Sequence, residues 1–322
     1  MRARKFLVGL ISIVLLATPL VVLWQRQAVF DWWRLRGYEP SVAVSQLATD
    51  TTMVSSMRRL YYVYHPSIDE KTAFNQACRE NEQTIVLGCY INGRSIHILS
   101  VTDSRLDGVE QVTAAHEALH AVYARLSGAE RKKVDTMTAA AFAAITDQRL
   151  KDVIELYRKQ DPSVVPNELH SILGTEVRSL PADLEAYYTR YFSDRSKVVD
   201  YSEQYEQAFT DRKNQILSYD AQLSSLKEQI QALQTSLNNQ SKTLTNERNQ
   251  LTNLKSGGQT NAYNAAVPAY NAKVNAYNSD IDTLTGLINQ YNDIVPKRNA
   301  IASEEQDLVQ AIDSRESVPA RQ

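Results

Sequence analysis

The stretch Thr113–Tyr123, TAAHEALHAVY, sets two histidines four residues apart with a glutamate directly after the first. Residues i and i+4 share one face of a helix, so His116 and His120 can both turn an imidazole nitrogen toward one ion. Glu117, beside the first histidine, has the reach and the chemistry of a general base acting on a water held there. This HExxH spacing predicts a Zn2+ site. Its neighbours Ala115, Ala118, Leu119, Ala121 and Val122 are all uncharged, which predicts a buried helix.

A catalytic zinc site takes a third protein ligand and keeps one position open. A third histidine on the next turn, spaced with Gly at 123 and His at 126, is excluded by Tyr123 and Leu126. The ligand must come from a later element. The segment PNELHSILGTEVRSLP, residues 166–181, offers Glu168 and, as the alternate, Glu176, each with a serine three residues on. An oxyanion donor is also expected, and His170, Arg178, Tyr187 and Tyr188 are the candidates. His170 stands out because it lies two residues from Glu168. His65 and His97 fall on expected strands and are read as structural. No GxSxG elbow supports a serine triad, and no glycine-rich phosphate loop occurs.

These side chains need a scaffold. RRLYYVYHPS reads as a strand ending at Pro66, and SIDEKTAFNQACRE as a helix capped by Ser67 or Asp69. In TIVLGCYINGRSIHILSV, Asn92-Gly93 between two β-rich runs is a hairpin signal. Helical spacing then runs through the HExxH segment until Gly128. Further helices are expected at 129–146, 148–160 and 167–179, with a last one over ADLEAYYTRYFSDR. The expectation is an α+β domain over residues 56–198, with a short sheet and hairpin plus active-site helices.

From about Asp200 the composition turns to Gln, Asn, Ser, Thr and Leu, and the apolar period becomes 3.5. Ile216, Leu223, Ile230, Leu237, Leu244 and Leu251 hold one heptad position. Tyr219, Leu226, Leu233 and Leu254 hold the other, with Gln240 and Glu247 as polar breaks. After KSGGQT a second series repeats Tyr263, Tyr270, Tyr277, Leu284 and Tyr291, alongside Val267, Val274, Ile281, Ile288 and Val295. Residues 199–313 therefore predict a long antiparallel coiled-coil hairpin turning near 256–260, with pairing between chains as the alternative. Each arm of about 50 residues would span about 75 Å. Pro268 and Pro296 are expected to kink or interrupt the return arm. Residues 314–322 read as a disordered tail.

At the other end, Phe6–Trp24 holds no charged residue and follows Arg2, Arg4 and Lys5. That length predicts an N-terminal transmembrane signal anchor over 1–25, followed by a juxtamembrane connector over 26–55. The expected topology is single-pass, with the N-terminus cytoplasmic and the bulk outside. Cys78 and Cys89, the only cysteines, then predict a disulfide. A net charge of −2 without a basic run argues against nucleic acid as a partner.

HEALH on a helix, with an Asn-Glu pair opening a later one, resembles the gluzincin group of zinc metallopeptidases. LGCY, TAAHE, ELHSILGTE and LEAYYTRYF also resemble uncharacterised membrane-anchored bacterial proteins with a C-terminal coiled coil. The gluzincin resemblance covers about residues 56–195. It implies Glu168 as third ligand, with Ser171 as the small residue that lets the helices approach. Where that group often has an acid four residues after the ligand, this chain has Ile172. It also implies hydrolysis of a peptide or protein substrate, with the coiled coil free to recruit a protein partner. A non-catalytic surface scaffold or adhesion protein, and a zinc amidase acting on cell-wall peptides, stand as alternatives.

Overall fold

The computed structural model describes residues 25–78 and 86–315. Of these, 77 % are helical, and the strands form one three-stranded sheet beside a long helical hairpin. The expected α+β class is therefore corrected to a predominantly helical fold, because most segments that bury apolar residues do so at helical spacing. No described helix is long and apolar enough to cross a membrane. The expected N-terminal transmembrane helix thus has no support in the structure, and residues 6–24, on which it rested, lie outside the described ones. The chain divides into two compact units, one made of residues up to 208 with those from 309, the other of 209–308.

The first unit opens with three helices: α1 (Arg26–Leu35), α2 (Val42–Asp50) and α3 (Ser55–Val63). The first two replace the expected connector, and they are part of the core. Val44, Leu47 and Ala48 of α2 are buried, and Phe30 and Leu35 of α1 pack on the same cluster. Helix α3 also overturns the strand expected over RRLYYVYHPS. Its Tyr and Val residues favour strands, but Met57, Tyr61 and Tyr64 are buried at helical spacing, so packing overrides propensity. The strand comes later, as β1 (Ser67–Asp69), where Ser67 or Asp69 was expected to cap a helix. That helix, α4 (Lys71–Ala77), is capped at Glu70 instead.

Strands β2 (Gly88–Ile91) and β3 (Ser95–Leu99) form the expected hairpin, with Gly93 at φ 74° in its turn. The sheet order is β1-β3-β2, parallel between β1 and β3 and antiparallel between β3 and β2. Ile96 and Ile98 of β3 point into the core and are fully buried. His97, on the opposite face, sits between Asp69 Oδ2 at 2.6 Å and Ser95 Oγ at 2.8 Å. That bridge ties β1 to β3, a structural role. His65 likewise stacks on Tyr38 with centroids 4.3 Å apart.

Four helices follow: α5 (Val109–Arg125), α6 (Gly128–Ala143), α7 (Gln148–Gln160) and α8 (Val165–Glu176). Gly128 begins α6 instead of merely ending α5, and Ser127 caps it through a reciprocal pair with Glu130. The helix expected over ADLEAYYTRYFSDR splits into α9 (Ala182–Tyr188) and the start of α10 (Arg195–Ser256). The buried Arg195 guanidinium bridges them, bonding Glu185 at 2.7 Å and the carbonyls of Val177 and Arg178.

The second unit comprises the facing parts of α10 and α11 (Thr260–Ile312). Gly258, at φ 73°, takes the left-handed conformation that ends α10, and Gln259 N donates to Leu254 O. The arms pair within the chain. The polar break at Gln240 donates to Asp280 at 2.6 Å, that at Glu247 meets Lys273, and Asp220 binds Arg298 at 3.0 Å. Two expectations fail here. Ile281 and Ile288 are exposed, because Asp280 and Leu287 turn inward in their place. Helix α11 also runs through Pro268 and Pro296 as one element, so of the kink or interruption expected there the interruption does not occur. The expected tail begins later than 314, since Ser314 is buried; residues 316–322 lie outside the described ones.

Candidate metal centre

Helix α5 carries the HExxH residues and is buried along nearly its whole length, from Val112 to Tyr123. It packs against α8, β2, β3, α2 and α3. Its alanines make that possible, since Ala114, Ala115, Ala118 and Ala121 are fully buried and let neighbours approach the backbone. Closest is α8, where a Cβ on Gly174 would stand 2.5 Å from Leu119 Cδ1 and 2.8 Å from Tyr188 Cε1. The helices meet there because one of the residues has no side chain.

That approach brings Glu168, in the first turn of α8, to the two histidines. Its Oε2 lies 3.5 Å from His116 Nε2, and its Oε1 lies 3.5 Å from His120 Nε2. The imidazoles stand edge to face with centroids 4.7 Å apart. One atom from each of the three residues falls within 4.8 Å of the others, so the group could hold a metal ion. Ser171, one turn after Glu168, shares a 3.2 Å hydrogen bond with His120 Nδ1. A partner on the far ring nitrogen fixes the tautomer that leaves Nε2 as the ligand atom. Burial works against ionisation of Glu168, yet the neighbouring His120 and His116 hold its carboxyl below the usual range. Its Oε2 is buried with no hydrogen-bond partner. Two imidazole nitrogens converging on a carboxylate with an orphaned oxygen make a donor set that could hold a metal ion.

The centre opens on a cleft of about 730 Å3, walled by β2, α5, α7 and α8 and reached by Glu176 and Tyr205. Glu117 lies in that wall and is 6 % exposed. Cys78 and Cys89 also line it, joined as a disulfide with Cα atoms 6.0 Å apart.

The other expected site residues lie elsewhere. Glu176 reaches the cleft wall, but its carboxylate binds Arg149 at 2.9 Å and takes no part in the metal group. His170, expected to stabilise an oxyanion, is fully buried in the core and does not line the cleft. One residue on from the helix face that carries Glu168 and Ser171, it turns to Tyr187 instead, at 2.9 Å. Burial, with His120 and His116 nearby, pushes its pKa down to about 3. It stays neutral near pH 7. Tyr188 is buried and donates to the His170 carbonyl at 2.6 Å. Arg178 is engaged at the surface with Glu203 and Asp200. The tyrosines that line the cleft are instead Tyr90, Tyr157 and Tyr205, none of which the motif pointed to. Asn167 was quoted only as part of a motif, yet it lines the cleft with Oδ1 buried and without a partner.

Gly88 was also passed over. It lies on β2 against α5, and a glycine inside a strand marks close backbone approach, so a signal for it was present. Comparison with protein-family models, curated proteins and solved structures returns no match. No comparison identifies the gluzincin group.

Proposed function

We propose that the chain is a zinc-dependent peptidase, with His116, His120 and Glu168 as ligands and Glu117 as general base. The observation that carries this is the single carboxylate meeting both HExxH imidazoles at 3.5 Å, on the floor of an open cleft. Zinc held by such ligands supplies a water with pKa near ~7 and polarises a carbonyl. Glu117 takes a proton from the attacking water and returns it to the leaving amine. With Nε2 on the metal, His120 Nδ1 would donate to Ser171 Oγ, and that hydrogen bond would hold the ring in its ligating tautomer.

The proposed substrate is a peptide or protein, because β2 is an edge strand of the sheet and lines the cleft, where an extended segment could lie alongside it. The disulfide supports residence in an oxidising compartment outside the cytoplasm. The hairpin is proposed to recruit a protein partner.

Purified full chain is expected to bind about one zinc and to cleave members of a generic peptide library. Glu117→Gln should keep the metal and lose at least ~10³-fold in kcat, within the range for a lost acid–base group. Wild-type protein that binds no zinc sinks the proposal. Zinc binding without peptide cleavage favours the scaffold, and release of products only from cell-wall peptides favours the amidase.

A further inference from the structure

Glu117 occupies the face of α5 that meets β2, and the residue it meets is Gly88. A Cβ on Gly88 would stand 2.5 Å from Thr113 Cγ2 and 2.8 Å from both Cγ and Oε1 of Glu117. Real Cβ atoms essentially never come that close. The glycine does not serve a turn, because residue 88 is an ordinary strand residue paired with Ile98. Its role is to leave space.

The strand cannot easily retreat to make that space another way. Leu99 N donates to Leu87 O at 2.8 Å, and Cys89 is bonded to Cys78. The strand's partners across the ladder, Ile96 and Ile98 of β3, are fully buried. Thr113 is fixed from the other side, its hydroxyl donating to Val109 O at 2.7 Å. Glu117 has three side-chain torsions, and a base that wanders among rotamers loses the alignment on which proton transfer depends. Bare backbone at position 88 gives the carboxylate room to lie in the cleft wall and a surface to lie against.

We propose that Gly88 is a positioning residue for Glu117, setting the rotamer from which it acts as base. This rests on the peptidase reading given above. Gly88→Ala should push the carboxylate out of place while sparing the three metal ligands. Thr113→Ser removes the Cγ2 in the tighter contact and keeps the hydroxyl, so it separates a packing defect from a displaced base.

The test compares full-length wild type, Thr113→Ser, Gly88→Ala and the double variant by metal affinity, melting temperature, kcat, KM and acetohydroxamate binding to the cobalt(II)-loaded protein. Thr113→Ser alone should resemble wild type. The double variant should regain wild-type melting and bind metal within about 3-fold of wild type. Its kcat should stay at least ~10²-fold down with KM little changed, and acetohydroxamate, which contacts the base, should bind about 10-fold more weakly. A double variant that turns over and binds acetohydroxamate like wild type overturns the proposal. If wild type holds metal but cleaves no peptide, the peptidase reading falls, and acetohydroxamate still decides Gly88: weaker binding upholds it and unchanged binding overturns it. Should the Gly88 variants fail to fold, side-chain NMR couplings of Glu117 in wild type decide. A single rotamer upholds the proposal and averaged couplings overturn it.

Discussion

Helix α5 and the hairpin arms are both helices with regular apolar spacing, but they are buried to different degrees. Helix α5 is enclosed by three helices and two strands, and even its glutamate and a histidine are buried. In the hairpin, each arm has one seam, and most seam residues are only half-buried, Leu226 and Leu237 being among the exceptions. An enclosed helix can fix two imidazoles against a carboxylate because neighbours hold it on every side except the cleft. A two-helix seam fixes register and little else. Precision of chemistry follows the number of neighbours, not the strength of the helical pattern.

The sharpest way to break this comparison is to remove the same side chain from each. Leu119→Ala, at a fully buried site against Gly174, should cost about 3–4 kcal/mol and also weaken metal binding, because α5 and α8 lose their fit. Leu237→Ala, 7 % exposed, should cost about 2 kcal/mol and leave metal affinity unchanged. Tryptophan fluorescence reports the first unit, to which the described Trp32 and Trp33 belong. Far-UV circular dichroism follows the helices of both units, so a change in it without a change in fluorescence reports the hairpin. Equal effects on metal binding would dissolve the distinction.

Electrostatics should separate the units next. Burial raises the Glu206 carboxyl, against the pull of Arg149 and with Glu176 adding to it, from 4.5 to about 7. A carboxyl raised in the folded state contributes stability that is whole below pH 4.5 and is lost as pH rises through 7. The first unit should therefore lose on the order of 2–3 kcal/mol across that window. Glu206→Gln should flatten the profile, as measured by urea unfolding at several pH values. A wild-type profile that is already flat would contradict the burial argument.

The smallest effect belongs to the hairpin's polar pairs. Asp280→Ala, which frees Gln240, should cost about 0.5–1 kcal/mol. Breaking the exposed Lys273–Glu247 pair should cost less and vanish at high salt. Large losses at either place would mean the seam is more enclosed than its exposure indicates.

Much of this was legible before folding. HExxH put two histidines on one helix face with a glutamate beside them, because helical periodicity places i and i+4 together in any context. The heptads gave a hairpin and its turn, because a glycine break between two runs of similar length leaves little else. The Asn-Gly pair gave the β2–β3 turn for the same local reason. Where neighbours decided, the sequence misled. RRLYYVYHPS looked like a strand until Met57, Tyr61 and Tyr64 found a core at helical spacing. Residues 26–55 looked like a connector until Val44 and Leu47 were covered. His170 looked like part of the site until α8 docked, since one residue's rotation on that helix separates cleft from core.

The residue types and spacings determined by themselves that a helix with two histidines on one face and a long helical hairpin share one chain. Only the tertiary structure decided that Glu168 rather than Glu176 faces the histidines, and that Gly88 lies against Glu117. Both outcomes depend on how closely separate segments approach. Chain-local periodicity does not encode that distance; the absence of a side chain at Gly174 and Gly88 sets it, and its effect exists only once the neighbouring element is in place.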